Sequence, residues 1–292
     1  MAESKGFLTE QLIHILEQKE LNLQTKSELK ALEELAIKNK VLLQLLRSLD
    51  IRDTLRETQE KALKKITHTA ELISKVLRDH SYAFFKLVKP ISYVPADIDI
   101  LVSVKHVGEA IKSIRSLGYD IAVKDPYCVT FVKEGSIIDV YTYPSIGGTV
   151  FIDGQKLLEH VRETTFGYAD VRALEPYAEA LVVAAHAIYK ELIYTLNDYF
   201  TIKKWADWRS LRLADELGCR PALELAMRLN WRIANELLDM PYKIPTSLWL
   251  SLLLKKLWKD ELVRGTSTNI LKTLIRRSSR KMIASKLKRE TY

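Results

Sequence analysis

Cysteine is nearly absent: Cys128 and Cys219 are the only two in 292 residues. Two isolated thiols make neither a disulfide framework nor a cysteine-based metal knuckle. Glycine is missing from Phe7 to Val107, so the first third of the chain holds little that would interrupt a helix. Nowhere does an apolar run reach the length that spans a bilayer. Acidic residues flank the short apolar segment in MAESKGFLTEQLIHILEQKE, which is not the pattern of a signal peptide. The expectation is a cytoplasmic protein with no membrane span. Hydrophobic residues make up 47% and charged residues 28%, which excludes a disordered or collagen-like chain and supports a real core.

The net charge of +8 is unevenly spread. Between Lys272 and Tyr292 stand eight basic residues, Lys272, Arg276, Arg277, Arg280, Lys281, Lys286, Lys288 and Arg289, against one acid, Glu290. Residues 1–271 are therefore close to neutral. A local basic segment with helical spacing points to a polyanion partner, RNA or DNA before anionic lipid.

Residues 8 to 80 read as helices. Thr25 with Glu28, and Thr54 with Glu57, are capping-box pairs ahead of apolar positions that recur every three to four residues. The texture changes at Ser81. YAFFKLV and DIDILVSV read as strands, HVGEAIKSIRSLGY as a helix, and DIAVKDP, YCVTFVKEG and SIIDVYTYP as a meander. From Glu175 the chain turns helical again. EPYAEALVVAAHAIYKELIYTL reads as one helix, and breaks are expected at Gly218–Pro221 and Pro241–Pro245. The expected fold is α+β: a small mixed β-sheet core over 81–174, flanked by an N-terminal helical region, 1–80, and a C-terminal helical domain, 175–292, with the basic tail. The five tryptophans are expected mostly in the core.

Two aspartates interrupt the apolar strand YVPADIDILV. Strands disfavour Asp, and a buried carboxylate is costly unless it is paired or holds a metal. Residues i and i+2 of a strand share a face, so Asp97 and Asp99 converge while Ile98 and Ile100 face the other way. A third aspartate, Asp139 in SIIDVYTY, has the same apolar flanks. If its strand lies beside the first, three carboxylates meet. Hard oxygen ligands without His or Cys suit Mg²⁺ or Mn²⁺, and two such ions about 3.5–4 Å apart stabilise an in-line displacement at phosphorus. Two plainer readings stand beside this one. The aspartates are turn and edge residues, or they belong to a salt-bridge network with nearby lysines.

DIDILV, a helix ending in LGY, and then IIDVY resemble the DNA polymerase β-type nucleotidyltransferase superfamily. More narrowly, the pattern is similar to a family of uncharacterised prokaryotic and archaeal nucleotidyltransferases, over roughly residues 30 to 210. The resemblance implies metal-dependent transfer of a nucleoside monophosphate from an NTP to a hydroxyl acceptor: RNA, protein or a small molecule. It implies that Asp97 and Asp99 are the metal pair and that Asp139 is the third carboxylate, aiding deprotonation of the acceptor. Superfamily members carry Gly-Ser or Gly-Gly, and the narrower family often Lys-Gly, ahead of the paired aspartates. Here the place reads Phe84-Phe85-Lys86-Leu87, with the lysine and without the glycine. Lys86, Lys89 and Ser92 are then the candidates to hold the triphosphate by charge and hydrogen bonding. The rival reading is a catalytically degenerate protein of the same fold that binds nucleic acid or serves as a scaffold. Candidate partners are the NTP, RNA or DNA on the tail, and a small helical protein. His186 is read as a packed helical residue, and Asp198 as a helix cap.

Overall fold

The computed structural model of the chain describes residues 2–18, 25–235 and 238–275. Four helices come first: α1 (Ala2–Leu16), α2 (Lys26–Lys38), α3 (Leu42–Ser48) and α4 (Thr54–Val76). Thr25 caps α2 as its sequence requires. Its hydroxyl accepts from Glu28 N, and Glu28 accepts in return from Thr25 N. At α4 the cap lies one residue earlier than the Thr54–Glu57 pair suggests. Asp53 accepts from Arg56 N, where a carboxylate also meets the positive end of the helix.

The sheet follows. Its strands are β1 (Tyr82–Phe85) and β2 (Ile98–Val102), then, after helix α5 (Val107–Ser116), β3 (Asp120–Asp125), β4 (Cys128–Lys133) and β5 (Ser136–Tyr141). A small ribbon, β6 (Ser145–Ile146) with β7 (Thr149–Val150), and a single turn, α6 (Gly154–Leu157), lead to β8 (Val161–Phe166) and β9 (Ala169–Leu174). The seven-stranded sheet runs in the order β3-β4-β5-β2-β1-β9-β8. β2 pairs with β5 in parallel, as β1 does with β9, and the other pairs are antiparallel. This is the mixed sheet flanked by helices that the pattern predicts.

The hairpin β8–β9 is a strand pair that the sequence does not announce. VRETTF and ADVRAL carry charges on their outer positions, and their alternation is short. Gly167 turns between them at φ +61°, a left-handed conformation open mainly to glycine.

The C-terminal part begins with α7 (Pro176–Ala185) and runs on as one π-helical turn, His186–Glu191. The expected single helix over 175–196 ends there. Leu192 is left-handed at φ +60°, and β10 (Ile193–Tyr194) pairs with β11 (Tyr242–Lys243) instead of continuing the helix. Four helices are then α8 (Leu196–Trp205), α9 (Trp208–Glu216), α10 (Arg220–Asn235) and α11 (Thr246–Lys259), followed by α12 (Glu261–Ile275). α8 and α9 are separate because Asp207 caps a new helix, accepting from the amides of Arg209 and Ser210. Trp208, Trp231 and Trp258 are exposed, contrary to the expectation of core tryptophans. Each sits on a helix that buries other residues: Leu213 and Ala214 on α9, Leu223 and Ala226 on α10, Leu252 and Leu253 on α11. Among the described residues no helix is long and apolar enough to cross a membrane.

Two apolar clusters sandwich the sheet. Ile98, Ile100, Val102, Phe84, Ile138 and Val140 pack with Ile73 of α4 and Ile114 of α5. The opposite face carries Ala83, Phe85, Leu101 and Tyr141, which join a larger cluster with Leu32, Leu46, Leu181 and Phe200. The first and last helical stretches thus share one core on that face. By strand alternation, Asp97, Asp99 and Asp139 emerge on this same side.

Gly154 marks the tightest packing against the sheet. A Cβ there would lie 2.5 Å from Thr142 O and 2.7 Å from Leu101 Cδ1. Gly154→Ala is expected to destabilise the fold by about 1–3 kcal/mol, read as a lower denaturation midpoint. An unchanged midpoint would mean that the α6 turn shifts freely.

Candidate functional site

The parallel pairing of β2 with β5 sets Asp99 directly beside Asp139 in register. Asp97 precedes β2 by one residue. One carboxylate oxygen from each of Asp97, Asp99 and Asp139 lies within 4.8 Å of the other two. The sequence therefore brings its three candidate carboxylates to one spot.

Each acid has a different environment. Asp99 is buried at 3% exposure. Its Oδ2 is 2.5 Å from Lys86 Nζ, while its Oδ1 is buried with no hydrogen-bond partner. Burial, against the pull of Lys86 and with the push of Asp97, raises its carboxyl to about 6. Asp139 is half-buried, and both its oxygens are engaged. Thr130 Oγ1, across the β4–β5 pair, donates to Oδ1 at 2.5 Å, and the Tyr141 hydroxyl donates to Oδ2 at 3.3 Å. Lys190 Nζ donates in turn to the Tyr141 oxygen at 3.1 Å. Asp97 is half-buried and accepts no hydrogen bond among the described residues.

A buried carboxylate oxygen with no donor, beside two more carboxylates, is a costly arrangement for a protein to keep. An all-oxygen set of this kind fits a hard divalent cation and not a soft one. Asp97, Asp99 and Asp139 are the residues that would hold it.

The turn after β1 carries the lysines. Lys86 has φ +60°, so the left-handed position falls on the lysine itself and not on Leu87. A side chain there costs roughly 1–2 kcal/mol. The conformation is held from both sides. Glu179, at the start of α7, accepts the Lys86 amide with both oxygens, at 2.8 and 3.0 Å, and the Tyr93 hydroxyl donates to Lys86 O. Burial opposes the Lys86 charge, yet Asp99 and Asp97 outweigh it and hold the ammonium above its ordinary value. Lys89 is buried and ion-paired with Glu179 at 2.7 Å.

Ser92 does not join the others. Its hydroxyl accepts from Arg47 at 2.8 Å and its amide donates to Gln44 at 2.9 Å, so its polar groups are spent on α3. It also stays outside the cavity described next. The physical reason is that residues 90–95 fold back on the N-terminal helices, a contact that local sequence does not encode. The tail residues Arg276, Arg277, Arg280, Lys281, Lys286, Lys288 and Arg289 lie outside the described residues.

A cavity of about 390 Å³ opens beside the acids. Asp97, Asp99, Lys86 and Lys89 line it, together with residues that sequence reasoning did not select: Lys40, His186 and Asp198 among them. His186 is buried with Nε2 3.4 Å from Glu191 Oε1; it is packed, as expected, but on the cavity wall. Asp198 completes a capping box with Thr195 at α8. Glu179 is the most consequential omission. Its only sequence signal is an acid in a first helical turn, which reads as a favourable dipole partner and nothing more.

No curated protein matches this chain. A solved structure, the solution structure of the antibiotic-resistance factor ANT(2'')-Ia, is 15% identical. The overlap covers 57% of this chain and 95% of that one at a TM-score of 0.32, too loose a likeness to bear on function. Residues 95–235 match the model of a family described as uncharacterised nucleotidyltransferase. The match takes in all three aspartates, Glu179 and His186, and begins after Lys86 and Lys89.

Proposed function

We propose that this protein moves a nucleoside monophosphate from an NTP to a hydroxyl acceptor, the acceptor oxygen bonding to the α-phosphorus as the α–β anhydride bond breaks and pyrophosphate leaves, in the manner of the DNA polymerase β-type nucleotidyltransferases. The observation that carries the reading is the in-register pair Asp99–Asp139 with Asp97 alongside. Mg²⁺ or Mn²⁺ bound there would neutralise the triphosphate and make the acceptor hydroxyl more acidic.

The chain's own groups divide the remaining work. Asp139 takes the acceptor proton. Thr130 and Tyr141 fix its carboxylate plane, and Lys190 fixes Tyr141. Lys86, anchored by Glu179, presents a cation between Asp99 and the cavity, where it can pass from carboxylate to phosphate oxygen as the nucleotide arrives. Val183 of α7 and the leucines Leu42, Leu43 and Leu55 of α3 and α4 line the cavity beside the acids, and apolar walls keep the dielectric low and strengthen each charge contact. The basic segment from Arg276 to Arg289 makes an RNA acceptor the favoured class.

The assay is incubation with each α-labelled NTP, Mg²⁺ and either total RNA, protein or no added acceptor. Label is expected to move to one acceptor and to stop on chelation with EDTA. No transfer in any combination sinks the proposal. The Lys86–Asp99 ion pair favours a second reading, a silent module of the same fold that binds nucleic acid. Calorimetry separates the two: RNA binding with no binding of Mg²⁺-NTP belongs to the silent module.

A further inference from the structure

The cavity beside the aspartates is only partly built by the segment that matches the nucleotidyltransferase family. Lys40, Leu43, Leu55 and Gln59 come from the N-terminal helices, before residue 95. Its volume falls within the roughly 300–1,000 Å³ of small-molecule sites. The lining divides by chemistry as well as by element. The α2–α3 turn and the β1–β2 connection bring lysines and acids, whereas α3 and α4 bring leucines and one uncharged polar side chain, Gln59.

Lys40 is not loosely placed. Its φ is +57°, a strained value for lysine, and the turn that holds it is stapled to α8. Asn39 Oδ1 accepts from Leu196 N at 3.0 Å, Asn39 O accepts from Asn197 N at 3.3 Å, and Lys40 O accepts from Asn197 Nδ2 at 3.3 Å. Asn39 also donates to Leu35 O at 3.0 Å. A turn tied down this thoroughly aims its side chain. Burial, partly offset by Asp198, holds the Lys40 ammonium down to about 8, and a phosphate oxygen beside it is the chemistry that would raise it again.

Gln59 lies four residues after Leu55 on the same face of α4. It is half-buried, and its carboxamide makes no hydrogen bond among the described residues. A carboxamide offers one acceptor and two donors in a plane, the set that reads the edge of a nucleobase. Leucines beside it suit the apolar faces of the same base.

We propose that the N-terminal helices complete the nucleotide pocket, with Lys40 binding the triphosphate and Gln59 selecting the base. The proposal rests on the nucleotidyl-transfer reading and adds to it a substrate-binding role for helices outside the family match.

The test is calorimetric titration of the full chain with non-hydrolysable analogues of ATP, GTP, CTP and UTP in Mg²⁺, with thermal melting to establish folding. Lys40→Met is expected to weaken the preferred analogue about tenfold or more, and Lys40→Arg to restore most of that loss. Gln59→Ala is expected to narrow the spread of affinities among the four bases by about fivefold or more. Folded Lys40→Met and Gln59→Ala proteins with wild-type affinities and base preference would overturn the inference. In that event, label transfer that still needs Asp139 would leave the nucleotidyl-transfer reading standing. Failure of the wild-type chain to bind any of the four analogues would overturn both.

Discussion

Asp139→Asn is expected to lower nucleotidyl transfer by about 10³-fold at saturating NTP and Mg²⁺. The substitution keeps the side chain's size and lets Thr130 and Tyr141 remain in place. It removes the charge that a cation needs and the base that an acceptor proton needs. Loss of a positioned general base alone costs about 10²–10⁴-fold. Asp97→Asn and Asp99→Asn should fall to similar residual rates, and double variants should be little worse than single ones, because residues that act as a unit are not additive. A second measurement separates chemistry from folding. A cation that binds only the folded chain stabilises it by about 2.7 kcal/mol at one hundred times its Kd, so Mg²⁺ should raise the wild-type melting temperature and leave that of Asp139→Asn unmoved. Transfer at the wild-type rate by a folded Asp139→Asn protein would place the reacting centre elsewhere.

That centre was legible in the sequence for a definite reason. β2 is buried on both faces, so Asp99 within it and Asp97 just ahead of it stand out against an apolar background. The i, i+2 spacing then fixes which residues share a face. Asp139 carries the same signature, and one register relation joins the two strands. The helices at either end were legible from periodicity and caps, as at Thr25. What stayed hidden depends on contacts distant in sequence. Glu179 is 93 residues from the Lys86 amide that it holds, and Ser92 is claimed by Arg47, 45 residues earlier. Lys40 reaches the cavity only because Asn39 and Lys40 bind the start of α8, 157 residues on. Local departures were hidden too. Leucine is a poor marker of a left-handed turn, so the break at Leu192 left no trace. The missing glycine after β1 misleads in the same way. The turn keeps its left-handed residue but sets it at Lys86, with Glu179 and Tyr93 supplying the hold that glycine makes unnecessary.

Glu179→Ala is accordingly expected to be among the most damaging single substitutions outside the aspartates. The Glu179 and Lys89 side chains are each about 4% exposed. Removing the carboxylate leaves the Lys89 ammonium buried without its counter-charge and the Lys86 amide without its acceptor. Breaking a buried pair from one side costs about 3–5 kcal/mol, which in a chain of this size lowers the melting temperature by roughly 10 °C. The cost comes mainly from the orphaned charge and not from the strength of the pair itself. Removing the orphaned charge as well, in Glu179→Ala with Lys89→Met, should therefore recover about half of the loss. Transfer should respond differently. With Glu179 gone, Lys86 is held in its strained turn from the Tyr93 side alone, and its ammonium no longer keeps a fixed place beside Asp99. The double variant should then regain stability without regaining activity. A double variant that recovers both would mean that Glu179 serves the fold alone and that Lys86 finds its position unaided.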